Sequence, residues 1–301
     1  MLETNAMFRH AAIGNKNLKQ LSDEDICKIQ KFLLESLKDI HNICEKNGLK
    51  YFLVGGTALG AVRHGGYIPW DEDVDVAMPR KDYDKFCEIA LKELSNKYFL
   101  QNINTDKKYD LNFLKLRRKG TKYIEIFETE PEKAGLFIDI YPLENVFDNF
   151  ILRFFHGVLC EFLYLCASCV RVKEKEKIFK DYLSDKKALR TIKIKAFLGK
   201  ILSFFSLNKW CVLADKCSSK CKNENSSYVS FPSGRKHYFG EMYERKSFFP
   251  LKKISFENDE FYIMSNPSVY LTSLYGDWGK IPQKSERERH SIIELDFDAK
   301  P

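Results

Sequence analysis

The segment Glu72-Asp73-Val74-Asp75-Val76-Ala77-Met78 constrains this chain more than any other. Charged and apolar residues alternate through it, the period-two pattern of a strand with one buried face. Asp73 and Asp75 then share a face, while Val74 and Val76 turn to the core. Like charges held side by side are costly unless a cation neutralises them. Oxygen ligands without clustered His or Cys favour Mg2+ or Mn2+ over zinc. The plain alternative is a solvated acidic loop over 71–75 or a structural calcium loop. A calcium loop of the EF-hand kind needs a glycine at its bend and a distal glutamate, which are missing here.

Two further features stand in order around this strand. An apolar strand over 51–54 runs into Gly55-Gly56-Thr57, a tight turn opening a helix that extends from Ala58 to about His64 and is broken by Gly65-Gly66. Backbone N–H groups at a helix start are unpaired, and glycines let a phosphate approach them closely. Gly55, Gly56 and Thr57 are therefore candidates for holding phosphate, although glycine at a turn also serves positive φ alone. Further on, Phe137-Ile138-Asp139-Ile140-Tyr141 presents a third carboxylate on a buried-looking strand, expected to stop at Pro142.

Asp73, Asp75 and Asp139 are the candidate metal ligands and catalytic residues. Asp139 either shares the metal or serves as base for an acceptor hydroxyl. Two such ions about 4 Å apart can clamp the attacking and leaving oxygens of a phosphoryl transfer. Lys115 and Arg117 lie two apart, on one strand face, suited to neutralising phosphate charge, and Arg118 points the other way. Arg63 and His64 end the helix beside the site, where a basic residue equally complements the helix dipole.

The remaining pattern gives an α/β (α+β) fold, a mixed sheet with flanking helices plus a largely helical additional region. Ser22-Asp23-Glu24-Asp25 starts a helix, Ile26, Ile29, Leu33, Leu37, Ile40 and Cys44 recur at helical spacing, and Asn47-Gly48 closes it. Pro79 opens another helix, and 111–118 and 123–127 read as paired strands. The expected organisation is a catalytic core over 1–148, a helical insertion over 149–227, and a segment over 228–301 that packs back on the core.

The formal net charge of +7 suits nucleotide phosphates or an anionic membrane face. The 49 Lys and Arg are scattered without a basic arm, so nucleic acid is not expected as a partner. Nine cysteines without a regular framework, behind a polar opening with no apolar leader, read as a reducing, cytoplasmic setting. Cys166 with Cys169, and Cys217 with Cys221, can be drawn as a zinc site. The first pair sits in an apolar helical run, where buried thiols are common, and the core reading is preferred. Residues 151–170 are long enough to span a bilayer, but Arg153, His156 and Glu161 interrupt them, which favours a buried or interfacial helix. Residues 191–210 mix apolar side chains with Lys193, Lys195, Lys200 and Lys209, the composition of a helix on an anionic bilayer or of a core helix with solvated lysines.

The residues Tyr51-Phe52-Leu53-Val54-Gly55-Gly56-Thr57-Ala58-Leu59-Gly60-Ala61-Val62-Arg63-His64-Gly65-Gly66, continued by Ile68-Pro69-Trp70-Asp71-Glu72-Asp73-Val74-Asp75-Val76, resemble the signature of the LicD family. That family includes bacterial phosphocholine transferases and animal fukutin-related ribitol-phosphate transferases. The likeness resumes at Leu114-Lys115-Leu116-Arg117-Arg118 and Gly135-Leu136-Phe137-Ile138-Asp139-Ile140-Tyr141-Pro142-Leu143. It returns at Tyr275-Gly276-Asp277-Trp278, Pro282 and His290. It covers about 20–145 well and 228–291 more thinly. Glu72 departs from the aspartate more usual there.

The resemblance implies a nucleotidyltransferase-fold enzyme that moves phosphocholine from CDP-choline, or the equivalent group of another CDP-alcohol, to a hydroxyl of a glycan or lipid-linked glycan, releasing CMP. Lipopolysaccharide, teichoic acid or capsule would supply that glycan, and peripheral contact with the inner membrane face goes with a lipid-linked acceptor. It also brings in His290, which otherwise reads as a solvated residue of a charged tail. Tyr67, Trp70, Tyr141 and Trp278 are near enough to motif residues to face a quaternary ammonium. Two alternatives stand beside this reading. One is a nucleotidyltransferase adding NMP to a small molecule, protein or RNA. The other is an inactive membrane-associated scaffold, which would have no use for three carboxylates.

Overall fold

The computed structural model describes residues 18–299 except 129 and 184. Most of the polar opening discussed above therefore lies outside the described residues. Helix α1 (Asp23–Asn47) begins at a reciprocal cap between Ser22 and Asp25 and ends at Gly48, whose φ of 63° is left-handed. Its apolar stripe is buried, with Ile29, Leu37, Ile40 and Cys44 fully so.

The chain then runs β1 (Phe52–Leu53), α2 (Gly55–His64), β2 (Asp75–Pro79), α3 (Arg80–Glu93), β3 (Tyr98–Gln101), β4 (Leu114–Arg118), β5 (Lys122–Glu125) and β6 (Phe137–Val146). The main sheet has the order β1-β2-β6-β4-β3. Strands β2 and β6 are parallel, and the other pairs are antiparallel. The far half of β6 also pairs with β7 (Tyr228–Ser230), which pairs with β8 (Met242–Glu244). This is the mixed α/β sheet with flanking helices that the pattern implied.

Three local expectations are corrected. The helix after β1 starts at Gly55 rather than Ala58, so Gly55, Gly56 and Thr57 form its first turn. Strands β4 and β5 do not pair with one another. β4 lies between β3 and β6, and β5 pairs with β11 (Ile292–Asp296), which brings the C-terminal segment to the core. Strand β6 also runs through Pro142 to Val146. On that side the pairing with β4 ends at Ile140 and the pairing with β7 begins at Glu144. The missing proline N–H thus falls between two neighbours and removes no ladder bond.

The helical region comprises α4 (Phe150–Glu174), α5 (Glu176–Tyr182), α6 (Lys186–Leu202) and α7 (Leu207–Ser218). The stretch 191–210 is not one helix, because α6 and α7 meet at a 90° bend, where the Ser206 side chain caps α7. Lys195 is buried, with its ammonium 3.0 Å from the Ser168 hydroxyl, so it is not one of the solvated lysines expected there. Two ion-pair groups fasten this region to the core. Asp110 receives Arg171 at 2.9 Å and Lys175 at 2.8 Å, and Arg80 reaches both Glu144 and Asp215. Helix α8 (His237–Gly240), the hairpin of β9 (Lys252–Phe256) and β10 (Asp259–Ile263), and α9 (Pro267–Tyr275) follow, and α9 packs against α2.

The four cysteines that could be drawn as a zinc site do not come together. Cys166 packs with Trp210 and Cys211, whereas Cys217 packs with Cys160. Among the described residues the side chains that do converge are His156, Cys160 and Cys217, with the two sulfurs 3.4 Å apart.

Candidate active site

The site is built by strand register. In the parallel pair β2–β6, Asp75 stands opposite Asp139, and in the antiparallel pair β4–β6, Asp139 stands opposite Lys115. Side chains opposite one another share a face and lie within contact range, so two carboxylates and an ammonium form a row across the sheet. The Lys115 ammonium lies 3.5 Å from Asp139 Oδ1, 3.2 Å from Glu125 Oε2, and 3.2 Å from the centre of the Phe137 ring. Asp73 sits just before β2, in the loop that leads from α2.

Asp71 belongs to the same group, and its carboxyl hydrogen-bonds that of Asp73. Asp71, Asp73 and Asp75 are spaced by two. The alternation that singled out the latter pair therefore extended one step further back, and that signal could have added Asp71.

Helix α2 meets these carboxylates through its glycines. A Cβ on Gly55 would stand 2.3 Å from Asp75 Oδ2, and one on Gly56 would stand 2.6 Å from Asp71 Oδ2. Gly55 also has φ +57, which disfavours any side chain. Its N–H donates to the Tyr270 hydroxyl of α9 at 3.0 Å, and the Thr57 hydroxyl accepts from the Asp75 N–H at 2.8 Å. The first turn of α2 thus holds the acidic strand in place. Arg63, at the other end of α2, donates to the carbonyls of Trp278 and Lys280 and fastens the C-terminal segment.

His290 enters the site because β11 pairs with β5. Its Nε2 lies 3.3 Å from Asp73 Oδ2 and its Nδ1 lies 3.3 Å from Glu125 Oε1. Its backbone N–H donates to Glu72 Oε1 at 2.7 Å. Glu72, Glu125 and Tyr270 are site residues that sequence reasoning did not select. Glu125 carries no local signal, since only the tertiary pairing of β5 brings it to Lys115 and His290. Arg117 lies along the same face but pairs with Glu128 at 2.6 Å and Gln101 at 2.7 Å.

The electrostatics follow from crowding acids in a buried place. Burial first, then Asp73 and Glu72, push Asp71 well above the ordinary carboxylate range. Burial pushes Glu72 up to about 7. It pushes Asp139 up to about 6, with Lys115 opposing. Glu125 goes the other way, because Lys115 and then His290 outweigh its burial and hold it low. Burial would lower His290, but its contacts with Asp73 and Glu125 raise it well above the usual imidazole value. Two carboxylate oxygens, Asp139 Oδ1 and Glu72 Oε2, are buried without a hydrogen bond. An all-oxygen donor set with orphaned acceptors is what a hard divalent cation takes.

A cleft of about 410 Å³ opens beside this row, with Glu72 and His290 in its wall together with Lys19, Lys284, Arg287 and Arg289. The Arg287 guanidinium lies 3.7 Å above the Trp70 ring. Of the other aromatics proposed to face an ammonium, Tyr67 is buried against Phe256 and Tyr141 packs at a tilt against Phe113.

Residues 48–151 match the family model described as LicD/FKTN/FKRP, nucleotidyltransferase domain. The lipopolysaccharide cholinephosphotransferase LicD of Haemophilus influenzae is 26% identical over 282 residues, covering 88% of this chain and 95% of that protein. The protein RP689 of Rickettsia prowazekii is 30% identical over 143 residues, 42% of this chain and 52% of its own. The human ribitol 5-phosphate transferase FKRP is 44% identical over 56 residues, 19% of this chain and 11% of its own. The matched stretch 48–151 holds Asp71, Asp73, Asp75, Lys115 and Asp139, and there this chain carries the LicD/FKTN/FKRP nucleotidyltransferase domain.

Proposed function

We propose that this transferase moves phosphocholine from CDP-choline to a hydroxyl of a cell-surface glycan precursor, releasing CMP, on the cytoplasmic side of the membrane. The observation that carries the reading is the row Asp75, Asp139 and Lys115 across neighbouring strands, beside a cationic cleft. Likeness to a cholinephosphotransferase over nearly the whole chain supports choline as the alcohol.

In this reading Asp71, Asp73 and Asp75 would hold Mg2+ or Mn2+, and Asp139 either shares the ion or serves as base for the acceptor hydroxyl. When bound, the ion neutralises the carboxylates and stabilises charge on the transferring phosphoryl group. The chain's own residues do the rest. Lys115 keeps Asp139 in place and offsets its charge, while His290 fixes Asp73 and Glu125 from opposite ring nitrogens. Arg287, Arg289 and Lys284 offset the charge of the diphosphate in the cleft. The acceptor oxygen attacks the distal phosphorus, the bridging P–O bond breaks toward CMP, and Asp139 receives the hydroxyl proton.

Thermal melts test the donor without knowledge of the acceptor. With Mg2+, CDP-choline at about 100 times its Kd should stabilise the fold by about 2.7 kcal/mol, a shift of several degrees. A shift with CTP or ATP and none with CDP-choline, CDP-ribitol or CDP-glycerol would point to nucleotide transfer instead.

A second expectation concerns pH. Glu72 and Asp139 have folded values near 7 and 6, above their ordinary 4.5 and 3.8. The folded chain therefore holds these protons more tightly, and stability contributed by the two groups falls as pH rises from about 4 to about 7. The raised His290 acts in the same direction, losing its contribution as pH rises through its folded value. In EDTA the melting temperature should be lower at about pH 8 than at about pH 5.5, and Mg2+ should narrow that gap. A gap of equal size with and without the ion would remove Asp139 from the metal site.

A further inference from the structure

We infer that α4 and α6 form a docking face for an anionic lipid bilayer, lying in its interface. Large apolar side chains are exposed on both helices in rows at helical spacing. On α4 they are Ile151, Phe154, Phe155, Val158, Leu159 and Phe162. On α6 and the bend after it they are Ile194, Phe197, Leu198, Ile201, Phe204 and Phe205. Phe155 and Phe204 are 66% and 67% exposed, so these are full side chains presented to the outside. Scattered exposed apolar residues are ordinary, but contiguous rows mark an interaction surface.

The two rows are carried by helices that pack against each other. The helices pack antiparallel, with Ala196 and Val172 in one cluster and Leu202 and Leu163 in another. Close approach at the crossing is possible because Gly199 sits against the Cys169 carbonyl, where a Cβ would stand 2.3 Å away. Phe162 of α4 and the residues around Ile201 of α6 therefore lie at the same end of the pair.

Charge identifies the occupant. Residues 186–209 contain no Asp or Glu, and Lys186, Lys187, Arg190, Lys193, Lys200 and Lys209 are exposed. Basic residues flanking an exposed apolar stripe complement anionic headgroups above an acyl boundary. Helix α4 is long and apolar enough to cross a membrane. Its opposite face is engaged, however, with His156 and Cys160 buried and Arg171 tied to Asp110. Gly157 is pressed against Tyr238 and Phe239. Crossing the bilayer would undo that packing, whereas lying on it uses only the exposed rows. The bilayer face would hold a soluble catalytic sheet beside lipid-linked acceptors, but the geometry itself is independent of which donor the site takes.

The test is vesicle flotation of the full chain without donor, metal or acceptor. The wild type should float with vesicles of phosphatidylglycerol and phosphatidylethanolamine, less so at high salt, and more weakly with phosphatidylcholine alone. Phe155→Ser, Phe197→Ser and Phe204→Ser combined should weaken binding by at least about a hundredfold, since each removes an exposed aromatic ring that would enter the bilayer. Lys193→Glu with Lys200→Glu should abolish the preference for anionic lipid. Both variants should keep the wild-type melting temperature, because none of these side chains is part of the core. A wild type that stays at the bottom with both lipids, or a triple variant that floats equally, overturns the inference. A dimer in solution that the triple variant breaks, with no flotation, assigns the face to a second copy instead. Failure here leaves the donor-induced shift untouched, so the two readings fall separately.

Discussion

Asp75→Asn and Asp139→Asn should each lower turnover by at least about a thousandfold while the fold stays intact. The two carboxylates stand opposite one another on neighbouring parallel strands, and Asn keeps the volume of Asp. What is lost is the negative charge and, in the proposed reading, most of the affinity for a divalent cation where phosphoryl charge would develop. The same substitutions should not reduce stability in EDTA. Asp139 is pushed up to about 6 because burial disfavours its charge, and removing that charge relieves its repulsion with Asp73 and Glu125. The expected pattern is thus a melting temperature at or above wild type in EDTA, a smaller response to Mg2+, and loss of turnover. Near-normal turnover in either variant would take that residue out of the mechanism. A large drop in melting temperature would show that its role is structural.

The second large effect lies away from the chemistry. Arg80 opens α3 and is buried with Glu144 of β6, donating to it from Nε at 2.9 Å and again from Nη2. It also reaches Asp215 of α7 at 2.8 Å and Asp84 at 3.2 Å. One guanidinium therefore ties the sheet to the helical region. Burial raises the Glu144 carboxyl, and Arg80 is the main group that opposes this. Arg80→Met should cost about 3–5 kcal/mol, because it leaves a buried carboxylate uncompensated. That is a fall in melting temperature on the order of 10 °C. Arg80→Met combined with Glu144→Met should recover much of the loss, since a buried pair replaced by apolar side chains is often neutral. A single variant within about 1 kcal/mol of wild type would mean that water reaches Glu144 and the network is not a fastener.

Part of the site was legible in advance because strand periodicity is local. The alternation around Asp73 and Asp75 placed them on one face, and the same rule separated Lys115 and Arg117 from Arg118. Arg118 does point away, to Glu35 of α1. Helix α1 was equally legible, since its cap, its apolar stripe and its closing glycine are all encoded within 27 residues, 22–48. Other elements gave no such local evidence. Residues 111–118 and 123–127 are both good strands, and nothing in either says that they avoid one another and take partners far along the chain. Proline 142 read as a stop because an isolated strand cannot show that its two neighbours on one side leave a gap there.

The sequence by itself determined which residue types stand on which face of each element, because side-chain direction repeats every two residues in a strand and every 3.6 in a helix. It thereby determined the fold class and the acidic face, while the packing of Gly55 and Gly56 against Asp75 and Asp71 came only with the tertiary structure. Only the tertiary structure decided the register that sets Asp75, Asp139 and Lys115 side by side, because register depends on hydrogen bonds between strands whose paired residues lie 24 and 64 positions apart in the chain. It also decided that β11 carries His290 to Asp73 and Glu125, that Lys195 turns inward, and that the apolar rows of α4 and α6 turn outward. A helix's own pattern shows that it has an apolar face. Which of its faces the rest of the chain covers depends on packing, and packing is settled only when the distant segments meet.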